Sequence, residues 1–122
     1  MIYTSYFAKV PELTRHLVLP ISIAAKAPAG FTGLEYKALA PSYSILMSFK
    51  RDQNEALYTK QYTEKILNRL DPDLVIRDLQ TMAAESQDIA LICYERPESF
   101  CHRHLVANWL SEHGITCKEW QL

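Results

Sequence analysis

Side chains that can bind anions, carry protons or act as nucleophiles cluster in one short stretch near the end of the chain. They are Cys93, Glu95, Cys101, His102 and Arg103. A thiolate is a nucleophile, and a carboxylate and an imidazole can exchange protons near neutral pH. A guanidinium can hold a carboxylate or a phosphate through two parallel hydrogen bonds. The stretch therefore combines the groups needed for anion binding and for cysteine chemistry.

The local pattern predicts that these groups lie at a junction between a strand and a helix. Residues 89–93 (IALIC) form a short continuous apolar run, which is typical of a strand covered on both faces. Ser99 fits the N-cap of a following helix, so Cys101 and His102 are predicted in its first turn. In open α/β sheets, ligands bind beyond the carboxyl ends of the strands, where helices begin. We therefore expect the five side chains to converge on one crevice.

Each group has a predicted role in that crevice. A helix N-terminus attracts anions and favours thiolate over thiol, which makes Cys101 the expected nucleophile. Glu95 and His102 are the expected proton carriers, and Arg103 is the expected anion ligand. Cys93, at the end of the strand, is expected to line the same crevice.

The helical periodicity separates the two histidines near this junction. At about 100° per residue, His102 falls at the centre of an apolar stripe and is expected to face the sheet. The stripe consists of Leu105, Val106, Trp109 and Leu110. His104 points to solvent on the same wheel and is left out of the site.

A metal site and a disulfide are two specific alternatives to a site with free thiols. Cys93, Glu95, Cys101 and His102 are acceptable ligand types, but paired short spacings such as Cys-x-x-Cys are absent. In a helix, the adjacent Cys101 and His102 would diverge by about 100°, so no metal ligands are assigned. A Cys93–Cys101 disulfide is geometrically conceivable, but the lack of an export signal argues against a permanent one.

Purely structural roles also remain open for each of these residues. Cys93 could be a small core residue, and His102 could brace a strand-end carbonyl. Glu95 and Arg103 could form a structural ion pair. Under this structural interpretation, the polar cluster only locks the last helix to the sheet.

Composition limits the classes of protein that fit. The 122 residues are 48% hydrophobic and 22% charged, which indicates one compact domain, 1–122, with a sizeable core. A net charge of −1 provides no global positive field for nucleic acid. Neither a secretory leader nor a membrane-length apolar run is present, so a cytoplasmic location with reduced thiols is expected. Three glycines cannot assemble a dinucleotide or phosphate loop, and no cofactor is predicted.

The order of elements predicts an α/β fold. Strands are predicted at residues 1–7, 17–24, 44–49, 89–93 and 115–120. Helices are predicted at 54–70, from Pro72 to about Glu85, and from Ser99 to a Gly114 turn, with a long loop at 26–42 that includes one helical turn near 34–39. These elements favour one three-layer-like domain with a mostly parallel sheet of about four or five strands and helices on its faces.

The motif resembles a known family. Leu91-Ile92-Cys93-Tyr94-Glu95 followed by Cys101-His102-Arg103 is similar to the domain-of-unknown-function 488 family. Its members carry a strand that ends in Cys-x-Glu, then Cys-His-Arg at the start of a helix. The opening Ile2-Tyr3-Thr4-Ser5-Tyr6 is similar to the family's first strand. Where the family often has an Asp-x-Arg-like element, this chain has Ile21-Ser22-Ile23-Ala24. The resemblance implies a single α/β domain, typically bacterial, archaeal or phage-borne, and reinforces the site without naming a substrate.

Two functions follow as expectations. The leading one is binding of a small anionic ligand, a nucleotide or phosphorylated metabolite, with cysteine-based catalysis as an open question. Thr4 and Ser5 join the expected ligand-binding residues if the first strand neighbours the 89–93 strand. The rival is a non-catalytic module that binds nucleic acid or a protein through tyrosines and basic residues. Tyr58 and Tyr62, however, have the spacing of a helix face in the core.

Overall fold

Five parallel strands form one sheet in the structure, a computed structural model that describes residues 1–122. The strands are β1 (Ile2–Tyr6), β2 (Leu19–Ser22), β3 (Leu34–Glu35), β4 (Ile89–Cys93) and β5 (Cys117–Glu119). Their order is β3-β2-β4-β1-β5, and every pairing is parallel. The predicted α/β class and the parallel sheet are confirmed.

Five α-helices accompany the sheet. They are α1 (Val10–Arg15), α2 (Tyr43–Asp52), α3 (Glu55–Lys65), α4 (Pro72–Met82) and α5 (His102–Glu112). Short 3-10 turns follow β1, β3 and α3, at Phe7–Lys9, Lys37–Leu39 and Leu67–Arg69. None of the helices combines the length and the apolar character that a membrane crossing requires.

Helices cover both faces of the sheet. Successive residues of a strand point to opposite sides, so each strand contributes to both of the helix-covered layers. On one face, Leu13 of α1 packs with Ala90 and Ile92 of β4. On the other face, Ile89 and Leu91 of β4 belong to a larger cluster fed by helices α2 to α5. All five residues of β4 are buried, as the continuous apolar run predicts.

The segment predicted as a strand at 44–49 is wrong, because it forms most of helix α2. The hydroxyl of Ser42 accepts a hydrogen bond from the backbone N–H of Ile45 at 3.3 Å and so caps the helix. Ile45 and Phe49, four residues apart, then lie on one helical face toward the core. The helix ends at Gln53, which adopts the left-handed conformation with φ 53°.

The start of the last helix also differs from the prediction. Cys101, not Ser99, is the N-cap, and it has extended backbone angles of φ −154° and ψ 144°. Ser99 is held in a turn, because its N–H donates to the carbonyl of Arg96 at 3.0 Å. Phe100 packs into an aromatic cluster of the larger core. The side chain of Cys101 therefore does not follow the helical wheel.

The central helices begin and end close to their predicted positions. Asp71 caps α4 by accepting a hydrogen bond from the N–H of Asp73 at 3.0 Å, with Pro72 in the first turn. The single helix predicted at 54–70 is divided at Ile66 into α3 and a 3-10 turn. Gly114 follows α5 with φ 80°, as expected for the glycine that ends a helix.

A buried tyrosine provides a test of this packing. Tyr62 on α3 is fully buried, and its hydroxyl donates to the backbone carbonyl of Leu39. Tyr62→Phe should lower the free energy of unfolding by about 1–3 kcal/mol, because a buried carbonyl loses its donor. Tyr43→Phe, at a residue 76% exposed, should change it by less than about 0.5 kcal/mol. Urea denaturation measures both, and an equal effect of the two changes would contradict the buried hydrogen bond.

Candidate functional site

A hollow of about 400 Å³ opens at the carboxyl edge of the sheet, beyond the ends of β2 and β4. Its floor is formed by Cys93, Cys101 and His102, three of the five side chains that the sequence singles out. Glu95 stands at the rim with its side chain exposed. The predicted crevice at the strand-to-helix junction therefore exists, and four of the five predicted residues line it.

The two cysteines of the floor are joined. Cys93 ends β4, Cys101 caps α5, and their sulfur atoms are bonded at 2.05 Å. Sequence reasoning expected free thiols here, and in this structure that expectation is wrong. The extended backbone of Cys101 lets its side chain reach the sulfur at the end of β4. The side chains remain 1% and 6% exposed, at the base of the hollow.

His102 is a buried, neutral imidazole with a fixed tautomer. Its Nε2 lies 2.7 Å from the carbonyl oxygen of Ile23, and because that oxygen only accepts, Nε2 must carry the proton. Nδ1 then keeps its lone pair, 3.9 Å from the sulfur of Cys101. Burial lowers the pKa of His102 to about 4; the bond to Ile23 opposes this shift, and the charge of Arg103 adds to it.

Arg103 has no exposed surface, and its guanidinium contacts the protein's own groups. Nε and Nη2 donate to the two carboxylate oxygens of Glu119 at 3.1 and 3.0 Å. Nη1 donates to the sulfur of Cys93 at 3.2 Å and to the backbone carbonyl of Glu95. The ring of Tyr6 lies 5.7 Å from the guanidinium carbon, close enough for a cation–π contact. Arg103 thus holds the floor from beneath and does not line the hollow.

The end of the first strand lies beside the site, as the adjacency of β1 and β4 requires. The Thr4 hydroxyl donates to a carboxylate oxygen of Glu119 at 2.7 Å, so Thr4 supports the partner of Arg103. Ser5 pairs in register with Ile92 and faces the opposite side of the sheet. Its hydroxyl is buried without a hydrogen-bond partner. Neither residue reaches the hollow.

Sequence reasoning missed the walls and the rim of the hollow. Aromatic rings form one wall: Phe49 stacks on Phe100 at 5.4 Å, and Tyr58 meets Phe100 edge-on at 5.1 Å. Lys26 and Lys50 also line the hollow. Phe49 and Lys50 reach the hollow because residues 43–52 form a helix. The sequence predicts a strand at 44–49, so it does not indicate that these two residues belong to the site.

The floor also has the composition of a metal site. One potential ligand atom each from Cys93, Cys101 and His102 lies within 4.8 Å of the others. If both residues were helical, Cys101 and His102 would diverge, as the sequence predicts. Because Cys101 is extended, the two side chains converge instead.

The fold and site define a single-sheet parallel α/β protein with a cysteine–imidazole floor at the carboxyl edge of its central strands. The chain belongs to the DUF488-N3a family, described as the active DUF488-N3 subclade, and the match spans residues 12–114. The resemblance seen in the Cys-x-Glu and Cys-His-Arg elements is confirmed. No curated protein and no solved structure matches the chain.

The buried ion pair beneath the floor gives one prediction. Glu119→Leu should lower the free energy of unfolding by about 3–5 kcal/mol, because it leaves the Arg103 charge buried without its counterion. The double variant Arg103→Met/Glu119→Leu should lose roughly 1–3 kcal/mol less than the two single variants added together. Urea denaturation of all three variants measures this coupling. Strict additivity would show that the pair does not act as a unit.

The buried imidazole gives a pH prediction for the protein with its disulfide intact. The folded-state pKa of His102, about 4, lies below the unfolded value of about 6.5. Between these values the unfolded chain binds a proton that the native protein does not, so stability falls as the pH drops through this window. The contribution is fully present above about pH 6.5, and roughly 3 kcal/mol is lost by pH 4.

The matched variants are His102→Gln, which removes the titrating group, and His16→Gln at an exposed histidine. Free energies of unfolding measured across the window should show a shallower pH dependence for His102→Gln alone. An unchanged slope in His102→Gln would remove His102 as its cause.

Proposed function

We propose that this protein binds a small anionic ligand with a planar aromatic part, such as a nucleotide, in the hollow at the carboxyl edge of the sheet. The observation that carries the proposal is one cavity with an aromatic wall, two lysines and a cysteine–imidazole floor. The location agrees with the general rule for ligands of open α/β sheets.

Size and wall chemistry support a ligand with a ring. The volume of about 400 Å³ falls within the roughly 300–1,000 Å³ typical of small-molecule sites. Phe49, Tyr58 and Phe100 offer ring surfaces, and Tyr94, half exposed, also lines the hollow. Stacking of a base on such a ring contributes about 1–3 kcal/mol.

Charge at the rim supports an anion. Lys26 and Lys50 are both exposed and line the hollow, against the single carboxylate of Glu95. Neither lysine has an ion-pair partner in the structure, so both charges are available to a ligand. We therefore assign anion binding to these lysines and give Arg103 the role of positioning Cys93 and the start of α5.

Catalysis, in this proposal, requires the reduced cysteine pair. In the reduced, metal-free protein Cys101 is the nucleophile, because it is the more exposed of the two cysteines and lies at the start of α5, where the helix field favours a thiolate. Glu95 is the proton carrier, because it reaches solvent at the rim. His102, with a pKa of about 4, is a weak base at neutral pH and serves to orient Cys101. A cytoplasmic location, where thiols stay reduced, fits this assignment.

A charge reversal at the rim tests the binding site. Lys50→Glu should weaken nucleoside monophosphate binding at least about tenfold, because it replaces an attraction with a repulsion at short range. Lys60→Glu, an equal charge change at an exposed residue outside the lining, should leave the affinity unchanged. Isothermal titration calorimetry measures both.

The ligand panel separates the parts of the proposal. Nucleoside monophosphates should raise the melting temperature more than either the uncharged nucleosides or inorganic phosphate. Only the monophosphates carry both a base that can stack on the aromatic wall and a phosphate that can bind the lysines of the rim. If no member of the panel, sugar phosphates included, stabilises the wild type, the proposal fails. Salt-sensitive binding of single-stranded oligonucleotides without binding of mononucleotides would favour a nucleic-acid module instead.

A further inference from the structure

We infer that the reduced protein binds one Zn²⁺ ion through Cys93 Sγ, Cys101 Sγ and His102 Nδ1, with a fourth coordination position open to the hollow. This inference goes beyond the proposed ligand and does not depend on it. It stands on three convergent ligand atoms and on the groups that already orient them.

The positions of the ligand atoms match a zinc site once the sulfurs separate. The atoms lie within 4.8 Å of one another, and tetrahedral zinc with bonds of about 2.0–2.3 Å spaces its ligands by roughly 3.3–3.8 Å. The Cα atoms of Cys93 and Cys101 are 7.5 Å apart, wider than the roughly 4.4–6.8 Å usual for disulfides. The backbone therefore leaves room for an ion between the two sulfurs.

The imidazole is already arranged as a metal ligand. A zinc-binding histidine donates its second ring N–H to a carbonyl or carboxylate, which fixes the tautomer and the ring orientation. Here Nε2 of His102 donates to the Ile23 carbonyl at 2.7 Å, and Nδ1 with its lone pair faces Cys101. The ring is held in place by Tyr62, whose centroid is 5.5 Å away.

One sulfur also has an outer partner. Nη1 of Arg103 donates to Cys93 Sγ at 3.2 Å, which would stabilise the charge of a coordinated thiolate. Two thiolates and one neutral imidazole are soft and borderline ligands that suit zinc rather than magnesium or calcium. Three protein ligands with an open position are typical of catalytic rather than structural zinc.

The disulfide and the zinc site exclude each other. Reduction of the Cys93–Cys101 bond consumes two electrons and two protons and yields two thiols. Zinc binding then releases both thiol protons, since the metal ligand is the thiolate. Zinc therefore enters only after a thiol or phosphine reductant has supplied the two electrons.

Cobalt substitution and metal analysis test the inference on the full chain. Protein reduced with a phosphine and freed of metal should bind one Zn²⁺ per chain by elemental analysis. With Co²⁺ it should show thiolate-to-cobalt charge transfer in the near ultraviolet and the visible bands of tetrahedral cobalt. Cys101→Ser should weaken Zn²⁺ binding at least about 100-fold, whereas Cys117→Ser, at the remaining cysteine in β5, should bind like the wild type.

A second experiment compares the oxidised and reduced wild-type protein, so it does not depend on whether the variants fold. Wild-type protein whose disulfide is intact should bind neither ion, and reduction should restore binding. The inference is overturned if reduced wild type binds no Zn²⁺ or Co²⁺, if the oxidised protein binds equally well, or if Cys117→Ser and Cys101→Ser weaken binding alike. Nucleotide binding measured on oxidised protein with a chelator present is independent of these outcomes, so the two proposals fail separately.

Discussion

The charge of Arg103 is the constraint on which the site depends. A guanidinium with no exposed surface must find partners for its charge and its N–H groups, or its desolvation would destabilise the fold by several kcal/mol. It finds them on two separate parts of the chain: Glu119 in β5, and the end of β4 with the residues just after it, through the sulfur of Cys93 and the backbone of Glu95. Because Arg103 is the second residue of α5, these bonds also fix where that helix begins.

That helix start sets the geometry of the floor. Cys101 immediately precedes α5 in an extended conformation, and His102 opens its first turn, so two floor residues move with the same backbone segment. The Ile23 carbonyl, just past β2, accepts from His102 and joins this segment to a second strand. The floor is therefore held by contacts to β4 and β5 and to the residue after β2, together with the Cys93–Cys101 bond. These contacts explain why Cys101 and His102, which would diverge on a helical wheel, meet at Cys93.

Local patterns were enough to predict part of this arrangement. The continuous apolar run of 89–93 matches β4 residue for residue, because a parallel strand that is buried on both faces carries apolar residues without alternation. The family elements Cys-x-Glu and Cys-His-Arg lie close in sequence and were found directly. Residues 44–49 form a helix and not the predicted strand, because a short apolar run fits either element and the Ser42 cap favours the helix. Glu119 and Lys26 could not be found, because each reaches the site through strand order, which local periodicity does not encode.

The oxidation state of the two sulfurs decides which chemistry is possible at the floor, and Arg103 influences the balance between the disulfide and the reduced pair. A sulfur in a disulfide is neutral and accepts only a weak hydrogen bond, whereas a thiolate at Cys93 would receive a charge-assisted one from Nη1. The differential interaction favours the reduced pair, since a nearby guanidinium stabilises thiolate relative to any neutral form of sulfur. Burial of Cys93 acts in the opposite direction, because desolvation disfavours the charge. A coordinated cation would offset this desolvation cost, because it would neutralise the charge of the buried thiolate. Arg103 and a metal bound at the floor would therefore stabilise the same reduced state.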